Sequence, residues 1–221
     1  RINADMKRLF ALMLPGAVGA GVTQINLLIG TIIASFIPGA VSYLYYGERV
    51  YQFPLGVIGI AIGTALLPEL SRKLRAGEHA GAQAALNRAI EISMLITLPA
   101  AAALIAVPGA VVTVMFQYGR FAAADTAATA AALAAFAAGL PAYVLIKVLA
   151  PGFFAREDTR TPVIYAIVGV VLNVVLSLAL FVPLRHVGIA VATAVAAWAN
   201  AALLGFTLVR RGYLHGDSQL F

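Results

Sequence analysis

The stretch YLYYGERVYQFPLGVIGIAIGTALLP, from Tyr43 to Pro68, decides the fold. It is apolar enough to lie in a lipid bilayer, yet it carries Glu48 and Arg49. At the centre of a spanning helix an arginine costs about 2.5–3.5 kcal/mol on insertion scales, so such residues face a bundle interior or a watery cavity. A cation kept there points toward an anionic ligand.

The rest of the chain has the same character. Of its 221 residues, 62% are hydrophobic and 11% are charged, and the mean hydropathy is +0.95. A soluble domain carries roughly 25% charged residues. Too few polar groups remain to coat a water-soluble fold, so the composition implies an all-α polytopic membrane protein. A crossing needs about 20 residues, and the apolar runs predict a single six-helix lobe with spans near 9–36, 41–69, 89–116, 124–154, 162–184 and 187–209. Between the second and third spans, residues 70–88 read as a loop with a short amphipathic helix. The other joints are tight, which implies antiparallel neighbours packed as a bundle. The first run is too long and too late for a cleaved signal peptide, and a chain opening on Arg1 reads as a fragment.

The net charge is +6. Its distribution speaks for topology rather than for nucleic acid. Arg1, Lys7, Arg8, Arg72, Lys73, Arg75, Arg88, Arg156, Arg160, Arg210 and Arg211 all fall at alternate joints, whereas the intervening joints hold only Arg120 and Arg185. By the positive-inside rule both ends of the chain, and the 70–88 segment, are cytoplasmic. Contact with anionic lipid headgroups fits the same pattern. The chain has no cysteine, so disulfides and thiolate metal sites are excluded. Common enzyme motifs such as HExxH, GxSxG, GxxxxGK[ST] and GxGxxG are missing. The sequence therefore predicts a non-enzyme without a cofactor. His79, His186 and His215 read as surface residues of loops and tail, and Asp125 as a helix cap.

Three groups of residues could carry function. On a helix, Tyr45, Tyr46, Gln52 and Phe53 are the i±3 and i±4 neighbours of Arg49 and share its face. Glu48 points about a quarter-turn away, and Gln52 lies near both charges. Pro54 removes a backbone donor and should bend the helix just beyond them. Lys147, near the end of the fourth span, is either a second functional cation or a side chain snorkelling to the interface. Asn173 and Ser177 lie one turn apart, with Thr193 on the following helix. Their oxygens could bind a small cation weakly, or simply hydrogen-bond between helices.

Several segments resemble a known family. VYQFPLGVIGIAIGTALLPELSR, FQYGRFAAADT, LMLPGAVGAGVTQINLLIGTIIASF and above all LAPGFFAREDTRTPV are similar to the MurJ/MviN lipid II flippases of the MOP exporter superfamily. The resemblance covers nearly the whole chain but only the second, carboxy-terminal six-helix lobe of such a transporter. It implies a MOP/MATE-like pair of lobes around a cationic cavity. The pair would move an undecaprenyl-pyrophosphate-linked peptidoglycan precursor across the bacterial cytoplasmic (inner) membrane for cell wall biogenesis. On this resemblance the chain's partners are that precursor, membrane lipids and a first lobe outside the chain. Arg49 matches a cavity arginine expected to meet the pyrophosphate, and Glu48 an acidic position of the family. Gln52 departs from members with an acid there, and Ser177 stands where sodium-binding members have an acid. The alternative is an exporter of another polyprenyl-phosphate-linked sugar, or a MATE-type drug exporter; a cationic cavity favours phosphate-bearing cargo.

Overall fold

The computed structural model describes Gly21 and residues 24–214. Residues 9–20, 22 and 23 of the first expected span lie outside the described residues, as do Arg1, Lys7, Arg8 and His215. The described chain is helical throughout: α1 (Gln24–Ser35), α2 (Ala40–Leu55), a π-helical turn (Gly56–Ile60), α3 (Ala61–Arg75), α4 (His79–Ala106), α5 (Pro108–Phe116), α6 (Ala123–Phe154) and α7 (Arg160–Arg210).

Among the described residues, four continuous helical stretches are long and apolar enough to cross a membrane. One of them, α7, is two arms. Arg185 has φ 51° and ψ −132°, which breaks the helix. Tyr165 and Thr207 share a hydrogen bond of 2.7 Å, and Thr193 reaches Asn173 at 3.4 Å. These pairings fold the arms back on one another as an antiparallel hairpin. Each arm exceeds the ~20 residues of a crossing.

The helix ends follow local chemistry. Gly39 has φ 81° and precedes α2, while Gly77 has φ 75° in the turn between α3 and α4; glycine takes this left-handed conformation at no steric cost. Val107, with φ −130° and ψ 44°, interrupts the helix, and Pro108 starts α5, where its missing N–H is not needed. The expected span 89–116 is therefore two helices. The expected loop 70–88 is also different: only residues 76–78 are a turn. Leu66 and Leu70 on α3, and Ala82 and Leu86 on α4, are nearly fully buried, each pair one helical turn apart in the core. Their burial holds α3 and α4 helical while the charges of this segment stay on the outer faces.

Helix α6 is the hub, with buried residues along its whole length. Its alanines and glycines let neighbours approach closely. A Cβ at Gly139 would come within 2.9 Å of Cα and Cβ of Ala194 on α7, and one at Gly47 of α2 would lie 3.3 Å from the Leu133 backbone nitrogen. The joints gather at two ends. One end holds the α3–α4 turn, the α6–α7 joint and the close of α7. The other holds the start of α2, the α5–α6 joint and the kink of α7.

Candidate functional site

Arg49 stands on the exposed face of α2. Its guanidinium carbon lies 4.8 Å from the centre of the Tyr45 ring, a cation–π contact. One of its N–H groups reaches Oε1 of Gln52 at 3.4 Å. Gln52 then donates from Nε2 to the Glu48 carboxylate at 2.8 Å. The amide thus joins the two charges, using its acceptor for one and its donor for the other. Tyr46 departs from the expected grouping: it turns into an aromatic cluster, 4.8 Å from Phe116 and 5.5 Å from Phe121 between ring centres.

Beyond Pro54 the helix loosens into the π turn Gly56–Ile60, the kind of local disturbance a missing backbone donor favours. Lys147 of α6 is exposed, and its stem runs across this turn. A Cβ at Gly59 would meet Lys147 Cδ at 2.7 Å. The lysine therefore packs on the turn that follows the charged pair.

Glu48 faces inward. It helps to line a cavity of about 600 Å³ between α1, α2, α6 and α7, together with Asn26, Tyr45, Tyr51, Asn173 and Thr193. Arg49 is not among the lining residues. Adjacent charges in the sequence are thus parted by the helix surface: the acid looks into the lobe and the base looks out of it.

Asn173 organises the far wall. It is 7% exposed and Ser177 is 2% exposed. Asn173 Oδ1 accepts from Ser177 at 3.2 Å and from Thr193 at 3.4 Å, while Nδ2 donates to Asn26 Oδ1 at 3.0 Å. The single Thr193 hydroxyl proton is shared between Asn173 and the nearer Ile189 carbonyl, at 2.8 Å. The network ties α1 to both arms of α7. All its members are neutral, and Asn173 already has donors on its oxygen. The expected trio is brought together, but as a self-satisfied set without the anionic ligand a sodium ion favours, so the residues fit a bound cation poorly. Sequence reasoning missed Asn26; an amide within an apolar helix was the available signal.

Two polar contacts brace the end of the lobe near the kink. Tyr43 donates to Asp125 Oδ1 at 2.8 Å, and Asp125 Oδ2 accepts the Ala122 N–H at 2.8 Å, which makes it the cap of α6. His186 is half-buried rather than a free surface residue. Its ring lies 5.4 Å from that of Tyr43, and Nε2 is 3.0 Å from the Ala128 carbonyl. His79 opens α4. Among the described residues there is no group of three or more His, Cys, Asp or Glu side chains suited to a metal.

Comparison with known proteins adds the family. The family described as "Lipid II flippase MurJ" matches residues 1–220. A probable lipid II flippase MurJ of Rhizobium meliloti is 51% identical over 220 residues, which is 100% of this chain and 41% of the relative. One of Rickettsia prowazekii is 41% identical, over 96% of this chain and 42% of the relative. The chain spans about two fifths of the length of these curated relatives. Among solved structures, a lipid II flippase MurJ in an inward closed conformation superposes with a TM-score of 0.82 at 26% identity, over 92% of this chain and 44% of that one. An outward-facing MATE-family multidrug transporter of the MOP superfamily gives 0.82 at 17% identity, over 95% and 47%. At that identity the likeness is one of fold alone.

Proposed function

The chain belongs to the lipid II flippase MurJ family, and on that premise we propose that it is one lobe of a transporter for an undecaprenyl-pyrophosphate-linked peptidoglycan precursor. The lobe would work with a second lobe by alternating access across the bacterial inner membrane, with both ends of this chain on the cytoplasmic side. It makes and breaks no covalent bond. Binding energy for the headgroup shifts the balance between inward and outward states.

The observation that carries this reading is Arg49, a permanent cation exposed on a membrane-spanning helix. It is held by an aromatic ring and an amide. Neither contact neutralises the charge, so the guanidinium remains free to meet phosphate oxygens through parallel N–H donors. Gln52 and Glu48 position it. Lys147, exposed across the neighbouring π turn, supplies a second positive charge to the same ligand. Asn173, Ser177 and Thr193 serve as a clamp between α1 and the α7 arms, and no ion-linked step is routed through them.

The test uses the full-length protein. Arg49→Ala should abolish transport of the lipid-linked precursor into the outer leaflet of vesicles, and Arg49→Lys should keep only part of it, because the fork is lost. Normal transport by Arg49→Ala would remove Arg49 from the site. An exporter of a different polyprenyl-phosphate-linked sugar would show the same arginine dependence with another cargo. A drug exporter would carry cations and lose nothing with Arg49.

A further inference from the structure

A different pocket lies at the end of the lobe where α3 turns into α4, α6 passes to α7, and α7 closes. It has a volume of about 400 Å³ and is lined by Leu74, His79, Gln83, Arg156, Arg211 and Tyr213, among others. The walls are pinned together. Gln83 donates to the Gly212 carbonyl at 2.6 Å, and Arg211 donates to Asp158 at 2.6 Å. Arg156 donates to the Gly152 carbonyl at 2.7 Å while its guanidinium carbon sits 4.1 Å from the centre of the Tyr213 ring.

Arg156 differs from the other basic residues at this end. It is half-buried, and among the described residues no carboxylate pairs with it. Its bonds to a carbonyl and a ring fix the plane of the guanidinium without cancelling its charge. Loss of hydration pushes it below the ordinary arginine value, with Tyr213 acting in the opposite sense. A desolvated cation held rigidly at a pocket wall is an incomplete ion pair. Arg211 adds donors on the same wall: Asp158 takes one and the Thr161 hydroxyl oxygen a second, and a guanidinium has five N–H groups in all.

The geometry points to an anion site here, with Arg156 as its central donor and a phosphate group as its ligand. The phosphate comes either from a phospholipid headgroup at the membrane edge or from a water-soluble phosphate. This inference does not depend on the transport reading, because none of its residues lies in the Glu48 cavity or on the Arg49 face.

The experiment places the full-length protein in phosphatidylcholine nanodiscs and follows its thermal midpoint. One arm titrates inorganic phosphate against chloride at matched ionic strength. The other replaces part of the phosphatidylcholine with phosphatidylglycerol. A soluble ligand predicts a saturable rise with phosphate that needs about tenfold more phosphate in Arg156→Gln, the loss of a charge-assisted contact. A lipid ligand predicts a rise in phosphatidylglycerol discs that Arg156→Gln loses. If Arg156→Gln does not fold, the wild type still decides: bound phosphate or phosphatidylglycerol should slow modification of Arg156 by phenylglyoxal at least severalfold. Equal responses of wild type and variant, an equal rise with chloride, or unslowed modification in both arms would each overturn the site.

Discussion

Gln52 donates to the Glu48 carboxylate at 2.8 Å from one turn further along α2, and its carbonyl oxygen faces Arg49 at 3.4 Å. One neutral amide therefore connects an acid that looks into the lobe with a base that looks out of it. Glutamine can do this because it carries a donor and an acceptor on one plane. Leucine has neither. Gln52→Leu in the full-length protein should cut precursor transport about tenfold, in line with about 1–3 kcal/mol for stranding a half-buried charged partner. Transport at the wild-type rate would mean that Glu48 and Arg49 act independently of one another.

The Asn173 network gives a second expectation. Asn173→Ala removes the acceptor of Ser177 and Thr193 and the donor to Asn26 in a single change. Interhelical hydrogen bonds in membranes are each worth about 0.6–2 kcal/mol, and the α1 anchor loosens with them. The thermal midpoint of the detergent-solubilised full-length protein should fall by several degrees. In the wild type that midpoint should be the same in sodium and in potassium salts, because the oxygens are engaged with one another. A sodium-specific rise abolished by Asn173→Ala would show that a cation sits there after all.

Much of this architecture is legible in the sequence because bilayer length and apolar runs leave few alternatives. The two arms of α7 and the span of α6 lie close to the runs at 162–184, 187–209 and 124–154. Residues 70–88 are misread because hydropathy averages over charged faces. The two helices there are set by Leu66 and Leu70 on α3 and by Ala82 and Leu86 on α4, each pair buried one turn apart. At the site, helical spacing pairs Arg49 with Tyr45 and Gln52, since those contacts lie within one helix. The same spacing is blind to Tyr46 packing on Phe116 and Phe121, to Asn26 reaching Asn173 and to His186 reaching Ala128. Each of these needs a second helix whose orientation only the folded lobe fixes.

Gly139 is where the small-residue character of α6 is most demanding. A Cβ there would lie 2.9 Å from backbone and side-chain carbons of Ala194, with Tyr143 at 3.0 Å. Backbone cannot step aside as a flexible side chain can. Gly139→Ala should therefore destabilise the lobe by about 1–3 kcal/mol, and Gly139→Val by more. Gly205 offers a control, since a Cβ there would have only Leu149 Cδ1 within reach, at 3.8 Å. Gly205→Ala should leave the thermal midpoint within a degree or two of wild type. Equal effects of the two alanine substitutions would show that the α6–α7 crossing is not tight at Gly139.

The joint between α6 and α7 carries a pH dependence whose sign can be worked out. Burial opposes ionisation of Asp158, but hydrogen bonds from the Thr161 hydroxyl and N–H and from Arg211 outweigh it and hold the carboxyl below its ordinary value. Arg211 is correspondingly raised by the same carboxylate. An unfolded chain would titrate Asp158 near 3.9, so between that value and the lower native one the unfolded state binds more protons. The stabilisation is complete above the unfolded value and is lost as pH falls through the native one. Because Arg211 is exposed and Asp158 only half-buried, the effect is small and screened by salt. Asp158→Asn should lower the thermal midpoint by a constant amount from neutral pH down to about pH 5. The gap to wild type should then start to shrink as pH drops below about 4 and vanish only below the lower native value, where both proteins carry a neutral side chain. Arg211→Gln made on top of Asp158→Asn should add less than Arg211→Gln alone, as expected of two members of one network. A gap that widens toward acid pH would mean that Asp158 is protonated in the folded lobe and that the joint is held by something other than this ion pair.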